Sequence, residues 1–136
     1  MNNSESRLHD VFFYGLYMDP EILKSKNVEP RIPRVGHVKD YKLRLGDMAT
    51  LLRDAGSKAY GMVYSLTHEE LDRLYVKSGL DMYAGEALLV HLESDESIPA
   101  LCCNLLTAPQ ESELNSEYKT KLLLCMARLN VPTSCV

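Results

Sequence analysis

Val11 to Tyr14 form an unbroken apolar and aromatic run between a polar opening stretch and Gly15, the pattern of a buried strand. Asp19, Pro20 and Glu21 follow as cap, first-turn proline and dipole-matched acid, which predicts a short helix through Lys24. From Val28 to Asp47 two prolines precede alternating stretches around Gly36 and Asp40, predicting an irregular crossing and then paired strands. "RDAGS", residues 53–57, reads as a loop. Beyond it Tyr60, Met62, Tyr64 and Leu66 share one strand face, and Ala59, Gly61, Val63 and Ser65 the other. One face is bulky and one is small.

Two helices carry the clearest signals. Thr67 with Glu70 makes a capping box, Gly79 is placed to close that helix, and Leu71, Leu74, Tyr75 and Ser78 fall on its inward face. Glu69, Glu70 and Asp72 are assigned to capping and solvation on its first turn and outer side. The second helix places Tyr118, Leu122, Cys125, Met126 and Leu129 at helical spacing, with Pro132 as its stop. Between the helices, "GEALLVHL" and "IPALCCNLL" flank the acidic turn "ESDES" as a hairpin. The sum is about six short strands and flanking helices. This is an α+β domain, a small mixed and mainly antiparallel sheet curled into a barrel, over residues 11–136 behind a flexible segment 1–10.

Charge narrows the function classes. The net charge is −4 with basic residues scattered, so there is no footprint for nucleic acid or an anionic membrane. No stretch approaches a membrane span and residues 1–10 lack the apolar core of a signal peptide, so a cytoplasmic location is expected. Cys102, Cys103, Cys125 and Cys135 show no CxxC spacing and read as reduced, partly buried thiols. His9, His37, His68 and His91 show no ligand pairing, so neither a metal nor a cofactor is expected. A monomer or weak homodimer is expected.

Candidate chemistry gathers where the first strand ends. A strand-to-helix loop offers backbone N–H groups near the positive end of a helix dipole. In "YGLYM" Gly15 would allow close approach, while Leu16 and Tyr17 would supply amides and walls to a pocket for a small anionic group. The alternative is that Gly15 only turns the chain and the aromatics only pack.

"FFYGLYMDPEIL" resembles the Tyr-Gly-x-x-Met/Leu signature of the gamma-glutamylcyclotransferase-like family, which includes gamma-glutamylamine cyclotransferases. The similarity continues through "VGHVKDYKLRLGD", the "GMVYSLT" strand leading into a capped helix, Tyr83, and the Tyr118-led terminal helix, over roughly residues 11 to 132. The resemblance implies a barrel-like fold whose pocket holds a gamma-glutamyl group in the Tyr14, Gly15, Leu16, Tyr17 and Met18 loop, with Tyr75, Tyr83 and Tyr118 nearby. It implies intramolecular cyclisation to 5-oxoproline with release of an amine or amino acid.

The family's acid/base glutamate, in a Leu-Asp-x-x-Glu-Gly pattern, is replaced. Aligned from the Thr67 cap it falls on Ser78, and in the other register on Tyr75. Neither is a base near neutrality. Asp81 and Glu86 flank Tyr83 as substitutes, with Glu86 the better candidate because a strand position is more rigid. The sequence therefore leads to a gamma-glutamylcyclotransferase-like enzyme with a relocated acid, and as the alternative a catalytically inactive module of the same fold binding a small carboxylate-bearing ligand.

Overall fold

The computed structural model describes residues 8–45, 49–75, 83–105 and 116–133. In chain order these form β1 (Leu8–Phe13), α1 (Pro20–Ser25), β2 (Arg31–Leu45), β3 (Ala49–Thr67), α2 (His68–Leu74), β4 (Tyr83–Leu92), β5 (Ser97–Leu105) and α3 (Ser116–Arg128), with a 3-10 turn, Leu16–Met18, after β1. The strands close into a barrel in the order β1-β3-β2-β4-β5. All pairings are antiparallel except the closing β1–β5 contact, where Val11 opposes Leu101. A mainly antiparallel barrel with flanking helices is thus present, and β4 and β5 make the expected hairpin.

Among the described residues five strands stand where six were expected, because "RDAGS" does not separate two strands. It lies inside the long strand β3. Between the pairs Lys39–Lys58 and Tyr41–Arg53 the register shifts, with Asp40 at φ 64 and Gly56 at φ +85. Asp40 Oδ1 accepts from the Gly56 amide at 3.0 Å. Asp54 to Ser57 face the single Asp40 without ladder partners of their own, so the glycine and acid make a wide irregularity inside β3 and do not end the strand. The prolines of the expected crossing also fall in or beside a strand, since β2 starts at Arg31 and carries its own irregularity before Arg34.

β1 begins three residues before Val11. Its polar start is used: Asp10 Oδ1 accepts from Arg34 Nη2 and Ser65 Oγ, both at 2.9 Å, tying β1 to β2 and β3. The two faces of β3 part as expected. On the small face a side chain at Gly61 would run into the Phe13 carbonyl and come within 2.9 Å of the Phe12 ring, so bare backbone lets β1 lie close. On the bulky face Tyr64 donates from its hydroxyl to the Met18 carbonyl at 2.6 Å, holding the 3-10 turn against the sheet.

Helix ends follow local chemistry. Asp19 caps α1 by accepting from the Glu21 amide, and Asn27 at φ 61 closes it, with the Val28 amide returning to Leu23 O. The capping box of Thr67 and Glu70 is complete. Beyond Tyr75 the expected stop at Gly79 lies outside the described residues. α3 ends through Asn130 at φ 58, with Val131 N bonded to Met126 O, two residues before the proline expected to stop it. Leu122, Cys125 and Met126 are its buried side chains. Full burial of a side chain such as Leu122 contributes roughly 1.5–3 kcal/mol, which anchors the helix.

Candidate functional site

The chain leaves β1 at Phe13 and turns at Gly15, and beside that turn lies a cavity of about 200 Å³. Pockets for drug-sized ligands hold roughly 300–1,000 Å³, so this one suits a group of amino-acid size. Phe12, Phe13, Tyr14, Gly15, Tyr17, Ala49, Tyr75 and Tyr83 form its wall. Five of the residues singled out from the sequence, Tyr14, Gly15, Tyr17, Tyr75 and Tyr83, are therefore brought together from the link after β1, the 3-10 turn, the end of α2 and the start of β4.

The other candidates fall elsewhere. Leu16 turns its side chain to a separate groove with Asp19, Ile22, Lys121, Leu124, Cys125 and Arg128. Met18 is fully buried. The Leu16 amide, expected to meet an anion, donates instead to Tyr118 Oη at 3.1 Å. Tyr118 stands behind the turn, not in the wall, and a Cβ at Gly15 would come within 2.7 Å of its hydroxyl. Gly15 has φ −112, which any residue adopts, so it is space for Tyr118 that calls for glycine.

Glu86 is exposed, and its Oε1 accepts from Asn104 Nδ2 at 2.8 Å. It follows Tyr83 by three strand positions, so alternation sends it to the other face, beside its cross-strand partner Cys102. It does not line the cavity. Ser78 and Asp81 lie outside the described residues. Phe12, Phe13 and Ala49 join the wall without having been singled out. The phenylalanines belong to the run that marked the strand. Ala49 acts through its carbonyl, which leaves no trace in residue identity.

Three of the wall's four phenol hydroxyls are engaged with backbone, and the fourth, Tyr75, hydrogen-bonds the Cys103 side chain. Tyr14 donates to Cys103 O at 2.6 Å, Tyr83 to Ala49 O at 2.7 Å, and Tyr17 to Leu74 O at 3.2 Å. The rings meet edge to face, Tyr17 with Tyr75 at 5.8 Å and Tyr75 with Tyr83 at 5.5 Å. Burial is the first cause pushing all four phenols, Tyr14, Tyr17, Tyr75 and Tyr83, above the ordinary tyrosine range. They remain protonated at neutral pH. The described wall contains no carboxylate and no imidazole.

Among the described residues no group of three or more His, Cys, Asp or Glu side chains is placed to hold a metal ion, and no helix is long and apolar enough to cross a membrane.

The model of the family described as "Gamma-glutamyl cyclotransferase, AIG2-like" matches residues 11–120. The chain belongs to this family. Among solved structures, one named gamma-glutamyl cyclotransferase superposes with a TM-score of 0.77 at 18% identity, covering 93% of this chain and 82% of that one. An uncharacterized protein from Homo sapiens gives 0.72 at 18% identity over 92% and 80% of the two chains. A gamma-glutamyl cyclotransferase specific to glutathione from yeast gives 0.61 at 12% identity over 89% and 87%. No curated protein sequence matches the chain.

Proposed function

We propose that the cavity at the end of β1 binds a small gamma-glutamyl compound and promotes its cyclisation to 5-oxoproline. The observation that supports this reading is that Tyr14, Gly15 and Tyr17 of the family signature converge with Tyr75 and Tyr83 on one cavity of amino-acid size. In the reaction the glutamyl α-nitrogen, once it has lost a proton, bonds to the side-chain carbonyl carbon, the bond from that carbon to the leaving nitrogen breaks, and the two protons given up by the α-ammonium are taken up by the leaving nitrogen, which departs as an ammonium. Holding the chain folded harvests an intramolecular advantage that reaches on the order of 10⁵–10⁸ M in effective concentration. The wall contributes shape and exclusion of water. The buried phenols, held protonated, are not bases, so the protons pass by a group outside the described wall or through the substrate and water.

A second reading, ligand binding without turnover, is favoured by the placement of Glu86 on the far strand face, bonded to Asn104. Loss of a general acid/base costs about 10²–10⁴ in rate. The two readings part in one experiment. Purified protein is incubated with gamma-glutamyl amino acids and gamma-glutamylamines, 5-oxoproline is scored by mass spectrometry, and melting is followed on the same panel. Product above the no-protein control, lost in a cooperatively melting Gly15→Trp variant, supports cyclisation. Ligand-dependent stabilisation without product at any pH supports binding alone, and neither response refutes both.

A further inference from the structure

We propose that the Tyr83 corner of the cavity is an ammonium subsite, in which Tyr83 Oη accepts a hydrogen bond from a primary amine and decides which ligands the cavity takes. The argument starts from proton counting. A phenol has one proton, and a carbonyl oxygen only accepts. Tyr83 has given its proton to Ala49 O and Tyr17 has given its own to Leu74 O, so any ligand atom reaching either oxygen must be a donor. Tyr14 is committed further. It donates to Cys103 O, lies 3.3 Å from Ala49 O, and also hydrogen-bonds the Thr50 side chain. Tyr75 shares a hydrogen bond with the Cys103 side chain. Tyr83 and Tyr17 therefore remain as phenol oxygens open to a donor, and of the two Tyr83 stands with Tyr14 at the Ala49 carbonyl.

The rest of the wall agrees. No lysine, arginine or histidine is among its described residues, so a carboxylate finds no charged partner there. An ammonium finds phenol oxygens and the rings of Tyr17, Tyr75 and Tyr83, whose negative faces attract cations. Tyr17 already shows this behaviour, with Lys26 Nζ 5.9 Å from its ring centroid. The sequence pointed to an anion grip at this strand end; the described wall offers phenol acceptors and aromatic rings instead. If the gamma-glutamyl reading above holds, on which the choice of ligands rests, the α-ammonium lies at Tyr83.

Calorimetric titration of the full chain tests this with three probes: gamma-glutamyl methylamide, its des-amino counterpart glutaric acid monomethylamide, and n-butylamine. The amine-bearing amide is expected to bind about 10- to 100-fold tighter than the des-amino one, the worth of a hydrogen bond to a charged group. Tyr83→Phe is expected to bring the affinities of the two amides together, the amine-bearing one losing the more. Equal binding of the two amides overturns the subsite and leaves the gamma-glutamyl reading standing. A Tyr83→Phe variant that weakens both alike also overturns it, because a structural role does that. If n-butylamine binds in a Tyr83-dependent way and neither amide binds, the subsite stands and the gamma-glutamyl reading falls; no binding by any probe ends both. The two amides decide the question on the wild-type protein even where the variant does not fold.

Discussion

Glu70 illustrates how one residue carries more than its local pattern declares. Its cap was readable from Thr67 three residues earlier, and both halves of that box form. The structure corrects its assignment to the solvated side of the helix: Glu70 is 5% exposed, and its carboxylate also accepts from Arg31 Nη1 at 2.6 Å and the Glu29 amide at 2.7 Å. Burial works to raise its pKa, but Arg31 and the Glu29 and Thr67 amides outweigh this and hold it below the ordinary glutamate value. The unfolded state therefore takes up a proton first as pH falls. The contribution is complete above the unfolded pKa and is lost as pH drops through the folded one. Glu70→Ala should destabilise by about 1–3 kcal/mol, because the Glu29 and Thr67 amides lose their acceptor while Arg31 keeps Glu29, and should flatten the acid limb of a urea-midpoint against pH curve. Gly61→Ala should cost about 2–3 kcal/mol in the same assay, because the added Cβ meets the Phe13 backbone, which cannot yield as a side-chain tip can.

At the scale of elements, the hairpin and the helices declared themselves because caps and periodicity are properties of adjacent residues. The wide irregularity in β3 did not, since the same Asp and Gly types serve a turn and a strand irregularity. Barrel closure also rests on a short seam: β2 and β4 register at Gly36–Leu92 and His37–His91. The two imidazoles stack there, with centroids 5.2 Å apart, and Tyr60 and Lys58 of β3, Lys39 of β2 and Ser97 of β5 stand around them. Burial, then His91, Lys58 and Lys39, lower the His37 pKa. The unfolded chain again binds the proton more readily, so stability is full above about pH 6.5, the ordinary histidine value, and falls as pH decreases below it. Melting temperature should decline across the mildly acidic range, and His37→Gln should make that stretch of the profile flatter.

For the whole molecule, the cavity exists only because the barrel brings β1, β3 and β4 together with the end of α2. A ligand held there binds the folded state alone. At a hundred times its dissociation constant it should raise the unfolding free energy by about 2.7 kcal/mol, measured by denaturant titration with and without gamma-glutamyl methylamide. Cys102 and Cys125, both buried, should resist alkylation until the chain unfolds; burial first, then Asp19, pushes Cys125 up to about 11.

What the sequence determined by itself was local and periodic. The Val11 to Tyr14 run, the Asp19 cap and the Thr67–Glu70 capping box, the two faces of β3 and the hairpin follow from which residues are neighbours along the chain, and the family signature adds its ordered motifs to the same reading. The tertiary structure decided direction and partnership. It sent Leu16 to another groove, set Tyr118 behind Gly15, put Glu86 across the sheet from Tyr83, and assigned the phenol protons to backbone carbonyls. The physical reason is that a hydrogen bond to a carbonyl does not depend on whose carbonyl it is. Ala49 is chosen by where the barrel closes, and only that closure turns tyrosine hydroxyls into acceptors.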